Sequence, residues 1–173
     1  MTEEQLTTAI QKFYPPNTAE EIAHIVFAYN IVLKVVRPRK FVLGTCYKNK
    51  NIITINGNLP PYLFLLVTLH EIAHFVSLKK NGTTIKPHGV EWKQEYIKLL
   101  KHFLYKGVFP NQLAERVMQE IIHPKATCSQ DLITLTTINK EQNSLTSTKI
   151  CTICGNKLTS SLTYCPHCGN KIN

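Results

Sequence analysis

Apolar and polar residues recur along the first 125 positions in blocks that predict mainly helices, with two short strands between them. Residues 3–13 read as a short helix ended by Pro15-Pro16. Thr18-Ala-Glu-Glu21 has the form of a capping box, Thr18 as N-cap and Glu21 reaching back. A second helix, rich in Ile, Val and aromatics, is expected over 19–36, stopped by Pro38. Strands are expected at 40–46 and 51–56, the second β-branched and ending at the turn signal Asn56-Gly57.

Pro60-Pro61 opens a long apolar helix to about residue 80, and Asn81-Gly82 closes it with an αL-type stop. The next helix, 89–105, carries Trp92, Tyr96, Leu99, Leu100 and Phe103 on one stripe, with Lys98 and Lys101 opposite. That periodicity makes Trp92 a core residue rather than a base-stacking platform. Lys93 sits in the first turn close to the stripe, which marks it as a candidate contact to substrate or DNA at a site mouth. A further helix spans 111–122 before Pro124. The Thr-, Ser- and Asn-rich stretch 126–148 reads as strand and linker, the strand at 132–138. The expected organisation is one domain at 1–125, this connector, and a small module at 149–173.

Composition changes the picture in two ways. Apolar residues make up 43% of the 173, enough for one real core. Net charge is +9 and uneven: 13 Lys/Arg face three acids, Glu71, Glu91 and Glu95, between Lys34 and Lys106. Such a field draws phosphates or acidic surfaces, so DNA is an expected partner of the basic surface; a lysine-rich solvated face is the plainer alternative. The acidic start, Met1-Thr-Glu-Glu-Gln5, lacks a secretory h-region. The greasiest run, 63–69, stops at His70 and is too short for a bilayer. The expectation is a cytoplasmic protein with no membrane partner, monomeric by default.

The candidate chemistry lies inside the long helix. His70-Glu71-Ile72-Ala73-His74 places two imidazoles four residues apart, about 40° around the axis, so both project from one face onto one metal ion. Neutral imidazole is a good zinc ligand, and three protein ligands leave one position open for water. Glu71, at the flank of that face, suits the general base that takes the water's proton and passes it to a leaving amine. The third ligand is assigned to His88, in the shaped turn Lys86-Pro87-His88-Gly89. His102 and His123 are the runners-up, the first facing away from its helix stripe, the second at a helix end where it complements the dipole. His24 has no ligand spacing around it and reads as an ordinary helix histidine.

Four of six cysteines form two knuckles, Cys151-Thr-Ile-Cys154-Gly-Asn-Lys and Cys165-Pro-His-Cys168-Gly-Asn-Lys, ten residues apart. Four thiolates close a tetrahedron with no open position, so Cys151, Cys154, Cys165 and Cys168 read as a structural zinc site. A segment this short needs the metal to fold. Lone Cys46 and Cys128 suit a reducing compartment. Two zinc ions are therefore expected per chain.

His70-Glu-Ile-Ala-His74 followed by His88-Gly-Val-Glu-Trp92-Lys93 resembles the SprT-like metalloprotease domain, which joins HExxH to a downstream His-Gly-x-x-Trp-Lys. Leu43-Gly44 and Ile53-Thr-Ile-Asn56 also look like its strand before the active-site helix. The resemblance covers about residues 20–125, and the ribbon extends it. It implies an α+β zincin with a small antiparallel sheet and zinc-dependent peptidase activity. Likeness to the Spartan branch implies action on DNA-crosslinked proteins. These 173 residues contain no stretch that reads as that branch's long interaction tail. The competing readings are a catalytically silent zincin-fold module that binds DNA or protein, and a structural protein in which both metals only stabilise.

Overall fold

Local sequence forms α1 (Glu3–Ile10) through a capping box at its very start: Gln5 N donates to Thr2 Oγ1 at 3.2 Å, and Thr2 N donates to Gln5 Oε1 at 3.0 Å. The box expected at Thr18 is not made. Thr18 is buried, and its hydroxyl donates to the Pro15 carbonyl at 2.7 Å instead. Glu21 is drawn outward, accepting from His102 Nε2 at 3.0 Å and pairing with Lys106. A cross-helix pair thus takes the carboxylate that the cap would have used. The Thr2-x-x-Gln5 signal was equally visible in the chain.

A single 3-10 turn (Gln11–Phe13) follows α1 in this computed structural model, which describes residues 1–125, 134, 136, 149–150 and 157–158. The chain forms two compact units, Met1–Thr137 and Ile138–Asn173. In the first, α2 covers only Ala19–Ala28. Asn30 takes φ 53, a left-handed conformation that Asn tolerates, and the chain then becomes strand β1 (Val32–Val36). The second half of the expected 19–36 helix is therefore a strand. Its residues Val-Leu-Lys-Val-Val fit a pleated surface once β3 (Ile52–Asn56) lies beside them.

The sheet has the order β1-β3-β2, with β2 at Gly44–Tyr47. β1 runs parallel to β3, with Val32 opposite Ile52, and β2 runs antiparallel to it, with Gly44 opposite Ile55. The sheet is mixed rather than antiparallel, because β1 is an element the sequence reading lacked. The loop between β1 and β2 is held by Arg39 and Asn56. Arg39 Nε donates to Asn56 Oδ1 at 2.9 Å and Nη1 donates to Thr45 Oγ1 at 3.0 Å; Asn56 Nδ2 donates to the carbonyls of Val42 (2.8 Å) and Arg39 (3.2 Å).

Helix α3 (Pro61–Asn81) packs against β2, β3 and α4 (Val90–Tyr105). By length and composition α3 could cross a bilayer, but 72% of its apolar window is buried in the core. Gly82 ends it at φ 82 and ψ 179, positive φ as expected but extended in ψ rather than αL. On α4, Trp92, Tyr96, Leu100 and Phe103 are buried and Leu99 is half-buried. Helix α5 (Asn111–Ile122) completes the helical layer through Leu113, Val117 and Ile121. Thr134 and Thr136 have helical backbone, so the strand expected at 132–138 is not formed there; β propensity of threonine counts only on a sheet surface. In the second unit β4 (Lys149–Ile150) pairs antiparallel with β5 (Lys157–Leu158). Cys128, Cys151, Cys154, Cys165 and Cys168 lie outside the described residues.

Candidate metal centre

The helical spacing of His70 and His74 brings their Nε2 atoms to 3.2 Å. His88 closes the triangle, its Nε2 lying 2.9 Å from His74 Nε2 and 3.1 Å from His70 Nε2. No arrangement of protons satisfies this triangle. Each ring nitrogen either donates or accepts, so at least one of the three pairs is alike, two N–H groups or two lone pairs facing each other. A cation at the centre resolves the conflict. Nitrogens about 2.0–2.1 Å from one tetrahedral ion would be about 3.3 Å apart, close to the observed edges. Among the described residues, the group able to hold a metal ion is His70, His74 and His88.

His88 reaches the site at a conformational cost. Its φ is 57, in the left-handed region. The turn is closed by Gly89 N donating to the Lys86 carbonyl at 2.9 Å. A Cβ on Gly89 would lie 3.0 Å from that same carbonyl oxygen, so glycine suits this position. The runners-up stand elsewhere: His102 bonds Glu21, and His123 is exposed at the end of α5. His24 is exposed on α2 with its Nδ1 3.2 Å from Glu3.

Trp92 forms the floor. Its ring lies 4.7 Å from His70, 4.7 Å from His88 and 5.4 Å from His74, and its Nε1 donates to the His70 carbonyl at 3.3 Å. The periodicity that marked Trp92 as core was correct. That this core residue also props all three imidazoles was not legible, since spacing says only that a side chain is buried. Burial, followed by the neighbouring histidines, pushes His70 down to about 3; burial, then His88 and Lys48, pushes His74 to about 4. Burial lowers His88 also. All three are thus neutral near pH 7, the form that ligates.

Glu71 is outside the ligand cluster. Its side chain is buried and turned onto β2, where it accepts a backbone hydrogen bond from Cys46. Gly44 makes this possible: a Cβ there would lie 2.8 Å from Glu71 Cγ and 2.9 Å from Oε1. Burial raises Glu71 to about 7, against the opposing pull of the Cys46 amide and Arg39. Burial, then the Glu71 charge, pushes the Cys46 thiol up to about 12, so it is a protonated thiol rather than a thiolate nucleophile.

Lys93 is exposed on the first turn of α4. A residue the sequence did not single out, Lys48 in the β2–β3 turn, lines a recess together with His74 and Trp92. The signal for it, a lysine in a turn after a strand, is common to many surface turns.

The chain matches no known protein-family model, no curated protein and no solved structure.

Proposed function

We propose that this chain is a zinc-dependent peptidase of SprT-like type, with a zincin core in its first unit and a structural zinc ribbon in its second. The observation that carries the reading is the pairing of three convergent imidazole nitrogens with a buried carboxylate, Glu71, that stands beside them without joining them. A purely structural site has no use for that carboxylate. Neutral imidazoles in a tetrahedral cage with one open position suit zinc.

His70, His74 and His88 would hold the ion, and Trp92 fixes the planes of their rings. Bound zinc supplies Lewis acidity, polarising a peptide carbonyl and acidifying an attacking water. Glu71 takes the proton from that water and delivers it to the departing amine. Its raised proton affinity suits both halves of that task, since a base near the working pH can both accept and release. Gly44 and the Cys46 amide hold the carboxylate in place while it does so.

The ribbon reading rests on the two CxxC knuckles, the first of which falls in sequence between β4 and β5. Protein is the expected substrate. The +9 charge supports DNA as an additional partner in the cytoplasm, with Lys93 among the candidate contacts.

The test is Glu71→Gln. Zinc content and fold should be kept while cleavage of a protein substrate, assayed with and without DNA, is lost. Wild-type cleavage by the variant would refute the mechanism. A wild-type protein that binds DNA but never cleaves would favour the silent binding module.

A further inference from the structure

Among the described residues, some cations have a carboxylate partner: Lys80 and Lys98 pair with Glu95, Lys106 pairs with Glu21, and Arg116 lies 3.6 Å from Glu120. Several other lysines have none, and what sets Lys48 and Lys86 apart among them is their position. They come from separate segments, the β2–β3 turn and the α3–α4 loop, yet line one recess with His74, Ile85, Pro87 and Trp92. Neither pairs with a carboxylate among the described residues. Glu91, on the first turn of α4, is turned to Gly89, its Oε2 3.1 Å from where a Cβ there would stand.

We propose that Lys48 and Lys86 form a subsite for an acidic side chain of the peptide substrate, beside the bond to be cleaved. This rests on the peptidase reading and narrows its substrate class. One wall of the recess is His74, itself one of the three converging imidazoles, so a group seated there lies next to the cluster. The recess is small, about 10 Å³, the scale of one water, so its size does not choose the occupant. Its charge selects the sign. A dication in the imidazole cage adds to the two ammonium groups, and Glu71 alone cannot balance them. An acidic residue in the substrate neutralises this excess, and a basic one meets it.

The test uses the full chain loaded with cobalt in place of zinc. Peptide hydroxamates carrying Glu or Gln at each position flanking the metal-binding group are titrated while the cobalt absorption bands are followed. At one position Glu should bind about fivefold tighter than Gln, the scale of two exposed charge pairs, and the preference should shrink in high salt. The double variant Lys48→Gln, Lys86→Gln should lose it while cobalt stoichiometry and melting temperature stay unchanged. Equal binding of Glu and Gln at every position, or a preference that survives the double variant, overturns the subsite. If no peptide perturbs the cobalt bands, the peptidase reading itself fails, and the subsite with it.

Discussion

Gly44 on β2 stands so close to Glu71 on α3 that the hydrogen of the glycine occupies the only room available. A Cβ would meet Glu71 Cγ at 2.8 Å, Glu71 Oε1 at 2.9 Å and Val67 Cγ1 at 2.7 Å. The strand therefore sets the carboxylate's position, and Gly44→Ala must move either the strand or the base. The expected result is a loss of turnover of about tenfold to a hundredfold, the scale of an ångström's misplacement of a reacting group. Zinc content should be unchanged, because the three atoms nearest a Cβ at Gly44 belong to Val67 and Glu71 and not to an imidazole. Turnover and metal content on the same preparation check this; full activity in the variant would show that β2 does not position Glu71.

His88 contributes both a ligand atom and a left-handed backbone, and two substitutions separate them. His88→Asn keeps a residue that tolerates φ 57, so the loop should hold its shape. His88→Ala puts a residue there that prefers other conformations. Both lose the imidazole. Even supporting groups around a metal are worth about 10–100-fold in affinity, so removing a ligand should cost more than about 100-fold in both variants. Competition with a chelator measures this. Near-wild-type affinity in either variant would mean that His88 is not a ligand.

Helices α3, α4 and α5 were legible from local signals that need no distant partner: a long apolar run between Pro60-Pro61 and Gly82 for α3, the Trp92-to-Phe103 stripe for α4, an apolar face and the stop at Pro124 for α5. β1 was not. Val32–Val36 is compatible with a helix by itself, and no proline intervenes until Pro38. What decides it is pairing with β3, twenty residues further on. The histidine triad was legible for the reason α3 was, since i and i+4 share a helix face, and His88 followed from the turn around it. The supports of the site were not. Gly44, the Cys46 amide and Lys48 act through contacts between elements, which one-dimensional spacing does not encode.

Asn56 is buried and joins the β1–β2 loop to the sheet, accepting from Arg39 and donating to the carbonyls of Arg39 and Val42. Asn56→Ala would leave the Arg39 guanidinium and two carbonyls short of partners. A loss of about 1–3 kcal/mol of stability is expected, the penalty for unsatisfied groups in a partly buried setting. Arg39 also lowers the proton affinity of Glu71, so the variant's base should titrate higher. Urea unfolding and the acid limb of the pH–rate profile read the two effects separately. An unchanged unfolding midpoint would mean that the network contributes no stability.

The pH dependence of the metal-free protein has two opposing parts at the site. His70 and His74 are held at about 3 and about 4, below the ordinary value of 6.5. Below pH 6.5 the unfolded chain takes up protons that these folded imidazoles refuse, so stability falls as pH drops from 6.5 towards 3. Glu71 is raised from 4.5 to about 7, so it works the other way. The folded state keeps a proton that the unfolded state has released, and this contribution, present below pH 4.5, is lost as pH rises through 7. Between pH 7 and 5 two histidines oppose one glutamate, and the melting temperature of chelator-treated protein should fall. Glu71→Gln removes the opposing part while leaving the imidazoles and the second unit as they were. The fall from pH 7 to pH 5 should therefore be steeper in the variant than in wild type. A shallower fall would mean that Glu71 is not held protonated by burial against β2, and that its fitness as a proton carrier at neutral pH comes from elsewhere.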